Sequence, residues 1–262
     1  MGRIALPRLK GLCLFLAAAL TVHPCLFAMD PTVTIESPDT RVAVIELFTS
    51  EGCSSCPRAD AWLRTLTDES GLWKEFVPVA FHVDYWNHLG WPDRFSSVEF
   101  TRRQRNYAAG WNVTTIYTPE FVFNGEEWLR AGNLPPPSEE RPGKLRVTVE
   151  NSGKLEVSFF SSVGRTEPLV VEIVPLAQGV NTSVQRGENA GKRLQHDFVA
   201  LALVTTTLVP SSGRIYSARL SLPAATSAPI ASIAAWVRPA NSAVPIQAAG
   251  GWISKRSIGS KQ

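Results

Sequence analysis

This 262-residue chain has few long apolar runs and no large excess of positive or negative charge. Its longest apolar stretch, residues 12–20, covers nine residues, whereas a helix needs about 20 to cross a bilayer. Basic residues precede the stretch, and small and polar residues follow it up to Ala28, an arrangement typical of a secretory signal peptide, residues 1–28. We therefore expect an exported protein, secreted or periplasmic, whose mature chain has no membrane span.

The near balance of charge excludes a class of partner. The chain has 26 Lys and Arg against 23 Asp and Glu. Cleavage after Ala28 would remove Arg3, Arg8 and Lys10 and leave 23 residues of each sign. General nucleic-acid binders carry a basic excess that such a chain lacks, so we expect no nucleic acid among its partners.

Cysteine is also scarce, with four in the whole chain. Cys13 and Cys25 lie in the predicted signal peptide and would leave with it. Cys53 and Cys56, in the stretch SEGCSSCPRAD, would then be the only thiols of a protein in an oxidising compartment, where disulfides form and persist. The two can react only with each other, with a partner or with a metal ion.

The length of the chain predicts two domains. The 234 residues after position 28 exceed the usual size of one domain, about 100 to 150 residues. The segment NLPPPSEERPGK has four prolines and several charges, a composition that disfavours regular structure. We predict a linker at residues 133–144 between a first domain at 38–132 and a second at 145–258.

The first predicted domain begins with a strand, a helix and a strand. Residues 41–48 and 76–83 are apolar runs typical of strands buried in a parallel sheet. Between them, apolar residues within 59–66 recur at helical spacing and form one stripe. This pattern predicts a βαβ unit.

The remaining patterns predict a second helix, a hairpin and a β-rich second half. Ser96 and Glu99 have the spacing of a capping box at a helix start, and Asn124-Gly125 favours a tight turn between two strands. The order is then β-α-β-α-β-β. Residues 144–160 predict two alternating strands, and the short strands that follow predict an immunoglobulin-like β-sandwich.

A Cys-x-x-Cys pair at the start of a helix suits thiol-disulfide exchange. The helix N-terminus carries about half a positive charge and unpaired N–H groups, which stabilise a thiolate on Cys53 and make it the nucleophile. Cys56, one turn further in, would attack the mixed disulfide formed at Cys53. Ser54 and Ser55 offer hydroxyl groups but no charge, so the direction of electron flow stays open.

Residues around the pair are candidates for supporting roles. Glu46 is a carboxylate inside an apolar strand, and in a central strand it would be buried near the cysteines with a raised pKa and exchange the proton of Cys56. The alternative is a strand-end residue that reaches solvent or a salt bridge. Five further residues, four of them aromatic, either border the active cleft or pack a loop onto the core. We favour packing for at least half of these residues. They are Asp84, Tyr85, Trp86, Trp91 and Trp111.

Two other functions of the cysteines remain open. A passive bridge across two residues would close a very small loop and so remove little entropy from the unfolded chain. A metal site would add His82 or His88 to the two thiolates, a set of ligands suited to Cu(I) or Zn. His196 has no cysteine or acidic cluster at a recognisable spacing, which favours a structural role.

The chain also resembles known proteins in these motifs. A strand, Cys-x-x-Cys at a helix start, strand, helix, and Thr118-Pro119 before a hairpin resemble the thioredoxin fold. This resemblance implies a cis bond before Pro119, packing of Pro119 against the dithiol, and the backbone of Thr118 offered to substrate. The strings VIELFTSEGCSSCPRAD, HVDYWNHLGWPDRFSS, TRRQRNYA and GENAGKRLQHDFV resemble a secreted bacterial family, domain of unknown function 1223, over nearly the whole mature length.

We therefore expect an α/β protein, a thioredoxin-like domain followed by an immunoglobulin-like β-sandwich, that acts as an exported thiol-disulfide oxidoreductase. No cofactor is expected, and the partners would be a protein or small-molecule thiol or disulfide and an envelope redox partner. The alternatives are a metal-binding or metallochaperone module for Cu or Zn and a non-enzymatic interaction protein. The predicted catalytic residues are Cys53, Cys56, Glu46 and Pro119, with Cys53 and Cys56 as the disulfide and Thr118 and Trp86 as substrate-binding residues.

Overall fold

The computed structural model of the chain describes residues 1–2, 32–129, 132–150, 152–223 and 227–253. The predicted signal peptide, residues 1–28, lies outside the described residues apart from its first two positions. The last five residues of the predicted second domain, 254–258, lie outside them as well. The predicted domain boundaries and the signal peptide therefore stay predictions.

Two buried parallel strands and two helices form the centre of the first half. The strands β2 and β3 pair in register, with Ala43 opposite Phe76 and Thr49 opposite His82, and every residue of β3 is buried, as a continuous apolar run predicts. The elements in chain order are β1 (Thr32–Glu36), β2 (Ala43–Thr49), α1 (Cys56–Thr65), a 3₁₀ turn (Leu66–Asp68), β3 (Phe76–His82), a second 3₁₀ turn (Asn87–Leu89), α2 (Val98–Gly110), β4 (Glu120–Phe123) and β5 (Glu126–Glu127).

The cap of α2 and the hairpin show how local chemistry sets the element ends. The side chain of Ser97, not Ser96, accepts the Glu99 backbone N–H at 3.1 Å, because the Ser96 hydroxyl donates to the Asp93 carbonyl at 2.7 Å. In the turn between β4 and β5, Asn124 and Gly125 have φ of 50° and 89°, as an Asn-Gly hairpin turn requires.

The second half consists of strands in the part that the structure describes. Their bounds are β6 (Gly143–Glu150), β7 (Lys154–Ser161), β8 (Leu169–Ala177), β9 (Val180–Ser183), β10 (Arg193–His196), β11 (Val199–Ala200), β12 (Val204–Ser212), β13 (Ile215–Ser221), β14 (Ser232–Pro239) and β15 (Gln247–Trp252). β9 and β10 form a separate antiparallel pair, and the Arg64 guanidinium of α1 donates to the Gln195 side chain of β10. The second half thus reaches α1.

The predicted fold, a thioredoxin-like α/β domain with a separate immunoglobulin-like sandwich, is wrong. Strands take up 42% and helices 13% of the structure, and in the described residues 13 strands form one mixed sheet. The order along it is β1-β6-β7-β13-β12-β8-β11-β3-β2-β4-β5, with β14 joining β8 to β15. β11 pairs with β3 on one side, at Val199 and Ala80, and with β8 on the other. Strands of both halves therefore lie in the same sheet.

A shared core is the physical reason for this continuity. One apolar cluster contains Val44 and Phe48 of β2 together with Leu176 of β8 and Trp236 of β14. An open edge of β3 would present unpaired N–H and carbonyl groups, and β11 pairs with this edge.

A buried ion network also joins the two halves. Arg103 of α2 donates to Glu46 of β2 at 2.5 and 3.0 Å and to Glu172 of β8 at 2.9 Å, and Arg238 of β14 donates to Glu172 at 2.7 Å. The carboxylates hold the pKa of Arg103 well above its usual value, although burial acts in the opposite direction. The network fixes α2 against strands from both halves.

Across the described ranges, none of the helices has the length and the apolar composition needed to cross a membrane.

Candidate functional site

The two cysteines lie between the end of β2 and the first turn of α1 and are joined by a disulfide. Their Cα atoms are 5.5 Å apart. Cys56 is the first residue of the helix, and Pro57 follows it in the first turn, where a missing N–H has no helical partner to lose. Only 1% of Cys53 and none of Cys56 is exposed, whereas Ser54 and Ser55 between them are exposed.

The predicted substrate-binding residues lie beside Cys53. The Thr118 carbonyl oxygen is 3.8 Å from Sγ of Cys53, and the Ser55 hydroxyl is 3.3 Å from the same sulfur. Trp86 donates its indole N–H to the Thr118 hydroxyl at 2.8 Å. The peptide bond between Thr118 and Pro119 is cis. The structure thus brings Cys53, Cys56, Thr118, Pro119 and Trp86 together.

Glu46 lies elsewhere, on the opposite face of β2. Side chains of a strand alternate between its faces, and Thr49 contacts Asp60 of α1 at 3.1 Å, so Glu46 faces α2. Its carboxylate accepts hydrogen bonds from Arg103 and from the Tyr107 hydroxyl at 2.5 Å. Its predicted role as the proton acceptor of Cys56 stays a prediction, but its partners belong to the ion network and not to the dithiol.

A loop of the second half covers the cysteine motif. The buried Asn189 donates from its amide nitrogen to the carbonyls of Glu51 and Cys53, both at 2.9 Å, and the Glu188 carboxylate accepts the Ser54 backbone N–H at 3.0 Å. Neither residue is predicted by a sequence pattern, although both lie in the string GENAGKRLQHDFV. Their polar types alone give no sign of a partner more than 130 positions away.

Three ionisable side chains, from the cysteine motif, α1 and β10, meet in the interior. Nε2 of His196 is 3.4 Å from Oε1 of Glu51, and its Nδ1 is 3.8 Å from Oδ2 of Asp60. All three are almost fully buried. Glu51 lies two positions before Cys53, and Asp60 lies one helical turn after Cys56 on the same face.

A second buried pair extends this group. His82 of β3 and Asp93 are 2.6 Å apart between Nδ1 and Oδ2, and the rings of His82 and His196 make an edge contact with centroids 5.0 Å apart. Asp93 also accepts the backbone N–H of Glu51 at 2.9 Å. We call Glu51, Asp60, His82, Asp93 and His196 the histidine–carboxylate cluster.

The charges in the cluster stabilise one another. Burial alone would lower the pKa of His196, but Asp60 and Glu51 outweigh it and raise that pKa to about 10. Burial raises the pKa of Glu51, yet His196, with hydrogen bonds such as the Trp91 N–H at 2.8 Å, lowers it overall. The two carboxylates thus favour the protonated form of the His196 ring. The predicted structural role of His196 stays a prediction.

The remaining aromatic residues divide between the site and the core. Trp91 contacts Glu51, as above, whereas Trp111 stacks on Tyr107 with centroids 5.4 Å apart. Asp84 accepts a hydrogen bond from Thr101 of α2 at 2.5 Å, and Tyr85 packs against the first core cluster. Asp84, Tyr85 and Trp111 therefore hold loops onto the core, which agrees with the interpretation that these residues serve packing.

The structure does not bring together the ligands that the metal hypothesis requires. Among the described residues, no three His, Cys, Asp or Glu side chains are arranged to hold a metal ion. His82 faces Asp93, and Nδ1 of the exposed His88 is 2.7 Å from the Tyr85 carbonyl.

Comparison with known proteins places the chain in a family. The model of the family described as protein of unknown function, DUF1223, matches residues 44–238. The chain belongs to the DUF1223 family. Among curated proteins, none matches this DUF1223 protein.

Two solved structures resemble this DUF1223 protein in fold. A protein from Agrobacterium tumefaciens solved by structural genomics is 22% identical with a TM-score of 0.58, over 83% of this chain and 97% of that one. HBP35 of Porphyromonas gingivalis is 15% identical with a TM-score of 0.56, over 85% and 78%. At these identities the likeness concerns the fold alone.

Proposed function

We propose that this protein is an exported thiol-disulfide oxidoreductase whose Cys53–Cys56 pair exchanges with the thiols or disulfides of a protein or small molecule. The observation that carries the proposal is a disulfide at the first turn of α1, next to Ser55 and the Thr118 backbone. A bridge that closes so short a loop adds little stability by restricting the unfolded chain, which favours chemistry over a structural role.

The exchange proceeds in two displacements. In the reduced protein the Cys53 thiolate attacks a substrate disulfide, so that a Cys53–substrate bond forms, the substrate S–S bond breaks and one substrate thiolate leaves. Cys56, deprotonated, then attacks the sulfur of Cys53, which re-forms the Cys53–Cys56 disulfide and releases the second substrate thiolate. Two electrons pass to the substrate, and the two protons of the dithiol end on its two thiols. The reverse sequence oxidises a dithiol.

Neighbouring groups support the first displacement. The Ser55 hydroxyl lies 3.3 Å from Sγ of Cys53 and donates to the Thr118 carbonyl at 3.4 Å; in the reduced protein the same hydroxyl can turn to donate to the Cys53 thiolate. The N-terminus of α1 also favours negative charge. The Thr118 carbonyl lies 3.8 Å from Sγ of Cys53, and Trp86 holds the Thr118 side chain through its hydroxyl. Thr118 and Trp86 thus border the position where a substrate sulfur approaches Cys53.

The test is equilibration of the full chain in glutathione buffers, followed by alkylation and peptide mapping of each cysteine. Mapping separates Cys53 and Cys56 from Cys13 and Cys25. We expect a reduction potential above about −300 mV, the range of labile rather than structural disulfides. A potential below that value, or a pair that no thiol reduces without denaturant, would contradict the proposal.

Two matched variants separate the roles of the cysteines. Cys56→Ser keeps the nucleophile and is expected to accumulate a mixed disulfide with a model disulfide, whereas Cys53→Ser should accumulate none. Mass spectrometry of the non-reduced protein measures both. Equal trapping by the two variants would contradict the assignment of Cys53 as nucleophile.

A further inference from the structure

Two acidic residues of the histidine–carboxylate cluster flank the cysteine motif in sequence and are buried with it. Glu51 precedes Cys53 by two residues, and its backbone is tied to that of Cys53 through Asn189. Asp60 lies on the face of α1 that begins with Cys56. Two negative charges in a buried site oppose a thiolate, so the proposed chemistry needs a compensating charge.

His196 is placed to supply that charge. We propose that His196 is a positioning residue of the exchange: its imidazolium, held between Glu51 and Asp60, offsets part of the negative charge of the two carboxylates and so stabilises the Cys53 thiolate. This inference rests on the proposed function of the cysteine pair. It assigns to the second half of the chain a direct electrostatic part in the chemistry of the first.

The geometry favours an electrostatic role over a purely structural one. Both ring nitrogens of His196 and Oε1 of Glu51 are buried without a hydrogen-bond partner, and the separations of 3.4 and 3.8 Å are those of ion pairs. Removing charges from water is costly, and a scaffold would recover that cost through short hydrogen bonds. Across a few ångströms in a buried site, a unit charge instead acts strongly on its neighbours.

Other charges around Cys53 are compensated or peripheral. Asp93 is paired with His82, Glu188 is exposed and takes the Ser54 N–H, and Lys192 donates to Asn189 at 2.8 Å. Behind Thr118 and Pro119, Glu120 of β4 faces α2 and accepts from Gln104, and Tyr85 lies nearby. Arg64 and Arg193 line a pocket together with Asp60 and His196. Among the described residues, however, only the ring of His196 forms an ion pair within 4 Å with the carboxylates of Glu51 and Asp60.

The test measures the thiol of Cys53 directly, without any substrate. The reduced full chain is alkylated with iodoacetamide across a pH series, and the modified Cys53 peptide is quantified. In His196→Gln we expect the pKa of the Cys53 thiol to rise, so that alkylation below that pKa slows by about three- to ten-fold. Arg219→Gln is the control, because it removes a cation of β13 from an exposed ion pair with Glu156 of β7 and should leave the profile unchanged.

Two further variants give a signature that a structural role would not. Glu51→Gln keeps the shape of the side chain and removes its charge, so we expect the pKa of the Cys53 thiol to fall, opposite to the effect of His196→Gln. In the double variant Glu51→Gln/His196→Gln we expect a profile close to that of the natural protein. If His196→Gln does not fold, the double variant is compared with Glu51→Gln alone: a higher pKa of the Cys53 thiol in the double variant supports the role of His196, and an equal pKa would contradict it.

The outcomes separate this inference from the proposed function. Identical alkylation profiles for the natural protein, His196→Gln and Glu51→Gln would overturn the role of His196, whatever the exchange assays show. Shifted profiles in a protein that exchanges with no thiol or disulfide would instead contradict the proposed function and leave the charge compensation standing.

Discussion

Glu120 is a buried carboxyl group that follows Pro119 and accepts a hydrogen bond from the Gln104 amide at 2.5 Å. Burial is the main cause that raises its pKa to about 7. Because the folded state holds this proton more tightly than the unfolded chain, the stability that it contributes is lost as pH rises from about 4.5 to about 7.

Glu120→Gln should remove this dependence. We expect the free energy of unfolding of the variant to exceed that of the natural protein by about 1 kcal/mol at pH 8 and to equal it at pH 4. Urea unfolding at both pH values measures the difference, with the exposed Glu126→Gln of the same hairpin as control. A variant less stable than the natural protein at pH 8 would show that the carboxylate is needed there.

The sequence predicts the position of the two cysteines but not which acidic residues lie near them. The motif itself predicts the place of Cys53 and Cys56, because a strand end and a helix start enclose it. A strand that is buried on both faces is apolar on both faces, so its sequence does not show which face packs against which helix. Glu46 is therefore predicted beside the cysteines, although its side chain faces α2. Glu51 and Asp60 are the buried acids on the side of the cysteines, and their partner His196 lies more than 130 positions further on.

At the scale of elements, the loop at 184–192 binds the backbone of the cysteine motif, and we expect it to limit access to the disulfide. Asn189 holds the backbone of the cysteine motif through two hydrogen bonds of 2.9 Å, and both cysteines are buried beneath their surroundings. In Asn189→Ala we expect the disulfide to be reduced faster by dithiothreitol, because the loop opens more often. The loss of two buried hydrogen bonds should lower the free energy of unfolding by about 1 to 3 kcal/mol.

Rapid-quench alkylation measures the rate of reduction, and thermal unfolding measures stability. Asn181→Ala is the matched control, because Asn181 is an exposed amide in β9 that bonds only to the nearby Gly179 carbonyl at 3.1 Å. A less stable Asn189→Ala with an unchanged reduction rate would show that the loop does not limit access.

For the whole molecule, sequence patterns predict individual strands and helices better than their assembly. The apolar runs, the stripe of α1 and the Asn-Gly turn each predict a local element, and the structure has these elements. β11 pairs with β3 through Ala80 and Val199, which are about 120 positions apart in the chain. Because β11 has only two residues, it has no alternating pattern from which a strand could be predicted. The proline-rich segment therefore suggested separate folds, although the sheet runs through both halves.

Cleavage of the chain in that proline-rich segment tests the continuity of the sheet. A protease site inserted between Pro137 and Ser138 lies in exposed chain, and the uncut variant is the control for the insertion. After cutting, we expect the two fragments to elute together from a size-exclusion column, because β1 stays paired with β6 over five residues and Arg103 stays buried with Glu172.

Separation should require denaturant, and the cut protein should unfold at a lower urea concentration than the uncut one, because joining two fragments costs translational and rotational entropy. Fragments that elute apart in buffer alone would mean that the sheet contacts between the halves are too weak to hold them. In that case the loop at 184–192 and His196 would reach the cysteine motif only through the covalent linker.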